Sequence, residues 1–455
     1  MGYVAFAGSL ADEAPDGAAW SNLEGKRVGF GSRRSMSDRT LDHAGFLQRL
    51  RQYGLQSRVS SPTVIAIAVG LATLWFAFVH KMSLTGFEWP SLIVSGIVAL
   101  VAVVFFISLA IKRQLTWPLM LLLLFWGWIF VRDLINGNAV PSILLGGAIV
   151  VISVYASTLS EKNLTLAHLA FPVGFLVSSI VLTLVHPSSA FLEAGSSDFL
   201  GQLPFGQYFG FAHHPNDFGP VMALGLLIIF SQKTLTVWLK VLAGFFLLGL
   251  FASGSDGSIV AFVGALFFIA LHWDKIDGVP GKLRWRSITA VTAALVFGVW
   301  SVVLIATSGF SRFSTGRTAI WESYLEPAQE AGLFGFGHFD EETSADVVEK
   351  FTLLYLDPHN MWLTTQITGG YLGSAIHLAF WVAVVISIWK MAPSTSKTLA
   401  IGLAVFLLVY GNVESLLFTG FRVYFPMFGL LLALLVSDKV TAQKQRKSAL
   451  SPAPG

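Results

Sequence analysis

The stretch from Lys112 to Arg132, KRQLTWPLMLLLLFWGWIFVR, decides the fold. Between the Lys112 and Arg113 pair and Arg132 no residue carries a charge, and that interval approaches the roughly 20 apolar residues that a helix needs to cross a hydrocarbon layer. Working outward, comparable runs recur near residues 64–79, 91–111, 117–131, 140–159, 165–185, 218–231, 235–252, 258–272, 288–307, 371–388, 398–409 and 423–436. They predict an all-α fold, a polytopic transmembrane helical bundle of about twelve spans. Composition agrees. Only 12% of the 455 residues are charged, against about 25% in a soluble domain. The 38 Phe and 14 Trp suit helices that meet lipid along their length and headgroups at their ends.

Lys and Arg assign the sides. Of the 29 basic residues all but six (Lys81, Arg132, Arg312, Arg317, Lys350 and Arg422) fall in segments on the side of the two termini. The positive-inside rule places that side, with both termini, in the cytoplasm, as expected for a multi-pass protein of the cytoplasmic (inner) membrane. Three parts follow: a disordered cytoplasmic N-terminal tail over 1–60, a membrane domain over 61–437 and a cytoplasmic C-terminal tail over 438–455. The positive charge sits beside apolar spans, so the bilayer explains it and a nucleic-acid partner is not expected. No cysteine is present, which excludes thiolate catalysis and Cys-based metal sites.

The outer segments carry the polar chemistry. The longer one, 308–370, is expected to form a folded external loop with short helices, because Arg317 to Gln329 alternates acids and apolar residues at helical spacing. Arg317, in Gly316-Arg-Thr-Ala-Ile-Trp321, reads either as a guanidinium placed for a phosphate or as an interfacial Arg reaching for headgroups. His359, within Asp357-Pro-His-Asn-Met361, reads either as a base near neutrality or as a polar group at a helix start that Asn360 caps. His214, Asn216 and Asp217, with Pro215 between, read as another helix start. Ser253-Gly-Ser-Asp-Gly-Ser258 reads as a tight turn at the outer surface. Glu414 and Arg422, close in sequence and both external, read as a possible pair.

Together these segments resemble the O-antigen ligase and O-antigen polymerase family of bacterial envelope glycosyltransferases. The motifs are His-Pro-Asn at 214–216, the Ser-Gly-Ser break at Ser253, Gly-Arg-x-x-x-Trp at 316–321, Gly-Leu-Phe-Gly-Phe-Gly at 332–337 and His-Asn at 359–360. The resemblance covers about residues 209–381. It implies a glycan donor on a polyprenyl diphosphate (undecaprenyl diphosphate type) and a glycan or lipid-glycan acceptor whose sugar hydroxyl attacks at the outer membrane face. It also implies cell-surface polysaccharide or exopolysaccharide biosynthesis, with neither metal nor sugar-nucleotide cofactor. His359 and Arg317 would then be catalytic, as general base and diphosphate holder. Arg312, Asn216, His214, Asp256, Asn360, Glu414 and Arg422 would line the substrate. One departure stands out: Asp256 occupies a place where the family often has Arg. Either Arg312 or Arg422 supplies that charge, or the donor geometry differs, or the chain is a catalytically inactive homologue. A transporter or flippase of lipid or polysaccharide is the competing class, and its polar groups would lie near mid-membrane on broken helices.

Overall fold

The computed structural model describes residues 91–135, 147–155, 168–192, 207–212, 214–276, 317–337, 358–416 and 424–450. The predicted tail over 1–60, the predicted spans 64–79 and 288–307, His213, Arg312 and Arg422 lie outside them.

The described chain is helical almost throughout. In order come α1 (Ser91–Ile111), α2 (Trp117–Ile135), a helical stretch over 147–155, α3 (Ala170–Val185), α4 (Pro215–Phe230), α5 (Val237–Ala252) and α6 (Asp256–Ile276). Then follow α7 (Arg317–Ser323), α8 (Leu325–Glu330), α9 (Met361–Lys390), α10 (Thr395–Tyr410) and α11 (Tyr424–Leu450). A minimal antiparallel ribbon pairs β1 (Phe191–Leu192) with β2 (Gln207–Tyr208), Phe191 opposite Tyr208. Three described helices are long and apolar enough to cross a membrane: Trp117–Ile135, Met361–Lys390 and the Tyr424–Thr441 part of α11. Shorter apolar helices pack with them. α2 lies along α9, α6 along α10 and α4 against α5. Large apolar side chains such as Leu124, Leu248 and Val385 point outward, the arrangement expected where lipid rather than water surrounds the bundle.

Among the boundaries that differ from the sequence reading, two differ most. The span expected to start at residue 371 starts at Met361 and runs through a break at Gly370, whose φ of 65° and ψ of −165° are non-helical. The segment from Lys439, expected to be a disordered tail, continues α11 to Leu450, as its Lys, Gln, Arg and Ala residues favour.

The break at Gly370 exposes backbone groups that cannot stay unpaired in hydrocarbon. The Gly332–Gly337 segment supplies the partners. Phe336 N–H donates to Ile367 O at 2.8 Å, Gly337 N–H to Thr368 O at 2.9 Å, Tyr371 N–H to Gly332 O at 3.0 Å and Leu372 N–H to Leu333 O at 3.1 Å. From α2, Trp128 Nε1 donates to Gly369 O at 3.0 Å and Arg132 Nη2 to Gly335 O at 2.7 Å. Across the break, His377 Nε2 accepts from Trp381 Nε1 at 2.9 Å, which leaves Nδ1 to donate to Thr365 Oγ1 at 2.8 Å. The glycine-rich motif thus docks the outer loop into a broken helix. A Cβ on Gly370 would stand 2.5 Å from Gly335 N and Leu333 O, and its positive φ resists any L side chain. Gly370→Ala is expected to destabilise the protein by at least about 1–3 kcal/mol, read as a lowered unfolding temperature of the detergent-solubilised chain. An unchanged temperature would refute this account of the break.

Helix ends sort into two groups. The starts of α4, α6, α9 and α11 and the ends of α5 and α10 meet at one end of the bundle, as the contacts below establish. The start of α2 and the end of α9 meet α11 near Lys439 at the other, where Lys439 Nζ donates to Leu115 O at 3.0 Å. Lys112, Arg113, Lys390, Lys397 and Lys439 belong to this second end, while Arg132 and Arg317 belong to the first.

Candidate active site

The first end is organised around one carboxylate. Glu414 sits in the turn after α10 and its side chain is 1% exposed. A carboxylate withdrawn from water costs several kcal/mol unless donors surround it. Three distant segments provide them. Asn216 Nδ2 donates to Oε1 at 2.7 Å, Arg317 Nη2 reaches Oε1 at 3.4 Å, and His359 Nδ1 lies 3.3 Å from Oε2.

Local structure explains how each donor gets there. Asn216 follows Pro215 in the first turn of α4, where proline's fixed φ suits helix entry. His214 is the cap, its Nδ1 accepting from Asn216 N–H at 3.2 Å. Asn216 O accepts from Tyr410 Oη at 2.6 Å and Tyr424 Oη at 3.2 Å, so α4, α10 and α11 converge on this residue. Arg317 opens α7. Ile320, Tyr324 and Ala328 of the α7–α8 segment pack on Ile367 of α9, and Gln366 Nε2 donates to Ala328 O at 3.2 Å. The helical signal read from Arg317 to Gln329 is therefore two short helices divided at Tyr324.

His359 has a left-handed backbone with φ of 46°, uncommon outside glycine although histidine, like Asn and Asp, adopts it more often than other side chains. Its neighbours hold it there. Asn360 Oδ1 accepts from Trp362 and Leu363 N–H, capping α9, while its Nδ2 donates to Asn412 O at 3.1 Å. Met361 N–H donates to Gly411 O at 2.6 Å, and Thr364 and Ser415 hydroxyls meet at 2.6 Å. The start of α9 is strapped to the turn that carries Glu414. His359 is more open than Arg317, its side chain 30% exposed against 16%.

The Ser-Gly-Ser break serves packing. A Cβ on Gly219 of α4 would lie 2.8 Å from Ser258 Oγ and 3.0 Å from Ser253 Oγ, so only glycine lets α4 cross this turn so closely. Asp256 begins α6, where a first-turn carboxylate complements the helix dipole. Its neighbour Gly257 lies against Tyr410 and Val413, which brings the start of α6 beside the Glu414 turn.

Arg317, His359, Asn216 and Glu414 are thus in one cluster, with His214 and Asn360 as the caps that support it. Tyr410 and Tyr424 were not anticipated. Both end or begin apolar helices, and an aromatic with a polar tip at such a place is the signal that could have found them. Chemically, a carboxylate accepting from Nδ1–H fixes the imidazole tautomer with its lone pair on Nε2 and stabilises the imidazolium formed on proton uptake.

Comparison with known proteins agrees with the motifs. Residues 241–378 match the family described as O-antigen ligase. The resemblance to the O-antigen ligase family holds. An O-antigen ligase of Pseudomonas aeruginosa is 25% identical over 209 residues, 45% of this chain and 49% of that protein. The chain thus matches about half the length of this relative. Asp256, Arg317, His359 and Asn360 fall within the family-matched stretch, whereas Asn216 and Glu414 fall outside it.

Proposed function

We infer that this chain is a membrane glycosyltransferase of the O-antigen ligase type in cell-surface polysaccharide biosynthesis. It would transfer a glycan from a polyprenyl diphosphate carrier to an acceptor sugar hydroxyl at the outer face of the cytoplasmic membrane. The observation that carries this reading is the meeting of a guanidinium and an imidazole on the buried carboxylate of Glu414.

In this reading the acceptor oxygen attacks the anomeric carbon as its proton passes to His359 Nε2. The bond from that carbon to the diphosphate oxygen breaks, and the polyprenyl diphosphate leaves with the bonding pair. Arg317 offsets the charge that grows on the leaving group, and Glu414 offsets the imidazolium. Diphosphate is already a good leaving group, so positioned charge and a base suffice. The placement of Arg132 and Arg317 at one end and five lysines and arginines at the other supports an extracytoplasmic site. The polar cluster lies at helix ends rather than mid-bundle, which favours interfacial chemistry over a transport path. The matched family and the relative both carry the ligase description, which favours ligation over polymerisation.

Deleting the gene and analysing envelope glycans and lipid-linked intermediates tests the reading. Long lipid-linked glycans should accumulate; short ones would make the protein a polymerase, and an unchanged profile would refute the assignment. Arg317→Ala should lower kcat/KM roughly 10- to 100-fold, the worth of about 1.5–3 kcal/mol for a charge-assisted hydrogen bond. Arg317→Lys should recover part of that loss. Wild-type turnover by Arg317→Ala would remove the guanidinium from the mechanism.

A further inference from the structure

The end of the bundle opposite Glu414 holds a cavity of about 580 Å³, where the start of α2, the end of α9 and the C-terminal part of α11 meet. Met120 and Leu435 line its apolar wall, and Lys390, Asp438 and Lys439 its polar edge. Lys439 is tied to the wall by its bond to Leu115 O. Lys390 is the last residue of α9 and is exposed. Asp438 is the one carboxylate among the residues that line this edge. The Lys397 ammonium is held close by, donating to Met391 O at 2.7 Å and Trp389 O at 3.2 Å. Two ammonium groups therefore line the edge beside one carboxylate, and a third, that of Lys397, is bonded to Met391 O of the same lining. Trp117 and Trp389, 75% and 83% exposed, mark this level of the bundle as the layer where aromatic side chains meet headgroups.

We propose that this cavity binds an anionic phospholipid, its phosphate between Lys390 and Lys439 and an acyl chain along Met120 and Leu435. Each half of the site selects for this ligand. A free anion gains nothing from an apolar wall, and a zwitterionic lipid brings its own cation to an edge that already carries excess positive charge. Basic recesses between spans on the Lys-rich side are the places where anionic headgroups dock. The site is separate from the glycosyl-transfer cluster and stands whether or not that reading survives.

The test uses the full chain purified in a neutral detergent, followed by native mass spectrometry and thermal unfolding. The probes are dioleoylphosphatidylglycerol, dioleoylphosphatidylcholine and inorganic phosphate. Phosphatidylglycerol should be retained and should raise the unfolding temperature, with phosphatidylcholine and phosphate doing neither. Lys390→Glu should weaken phosphatidylglycerol retention about tenfold, and Lys390→Arg should preserve it. Ser387→Trp, which fills the cavity from α9 without touching the charges, should also displace the lipid. Equal retention of the two lipids, stabilisation by phosphate alone, or undiminished phosphatidylglycerol binding by Lys390→Glu or Ser387→Trp would each overturn the proposal.

Discussion

Replacing His359 with alanine is expected to lower glycan transfer from a lipid-linked donor by about 10²–10⁴-fold, the usual contribution of a positioned general base. The imidazole is half-open and touches Glu414 through one ring nitrogen at 3.3 Å, so the fold should survive its loss. The backbone is the complication, because φ at this position is 46° and alanine tolerates that region less well than asparagine does. His359→Asn separates the two effects. It keeps a side chain suited to the left-handed conformation and removes the base. Both variants should be equally inactive, and His359→Asn should unfold at the wild-type temperature or close to it. If His359→Asn retained substantial transfer activity, His359 would be a structural residue at a helix start and the base would have to be sought elsewhere.

Much of the helical architecture was legible because lipid demands long apolar runs, and those runs are local. The bounds 91–111 were read directly and coincide with α1. The end of α2 was placed at Val131 rather than Ile135, since Arg132 looks like a terminus until its guanidinium is seen bonding Gly335 O. The start of α9 was missed for a related reason. Gly369-Gly370 is a breaker in any local reading, and what carries the helix across it is a segment more than thirty residues earlier in the chain, docked through backbone bonds. The site divides in the same way. Arg317 and His359 stand in recognisable motifs, and Asn360 and His214 in recognisable caps. Glu414 was read beside Arg422 because the two are neighbours in sequence. Its observed partners Asn216, Arg317 and His359 come from three segments far from it in the chain, and no periodicity could have joined them. Tyr410 and Tyr424 escaped notice because each looks like an interfacial aromatic until its hydroxyl is seen on Asn216 O.

Glu414→Gln should therefore be nearly as damaging as loss of His359, although Glu414 need not touch substrate. A glutamine is almost isosteric with the carboxylate. Its carbonyl oxygen can still accept from Asn216 and Arg317, and that choice turns its amide N–H₂ toward His359 Nδ1. The imidazole must then accept at Nδ1 and carry its proton on Nε2, which removes the lone pair from the acceptor hydroxyl. The neutral amide also fails to stabilise the imidazolium. A fall in kcat of roughly 10²–10⁴-fold is expected, with KM for the donor changing less. Glu414→Ala is a different perturbation: it leaves the Arg317 charge without its buried counter-charge, and a loss of about 3–5 kcal/mol in stability should accompany the loss of activity. The decisive measurement is the double variant. If Glu414 works through His359, then His359→Ala combined with Glu414→Gln should be no slower than His359→Ala alone, because residues acting as a unit are strongly non-additive. Losses that multiply would mean that Glu414 acts independently of His359, most directly through Arg317, and the carboxylate would then belong to the diphosphate half of the site.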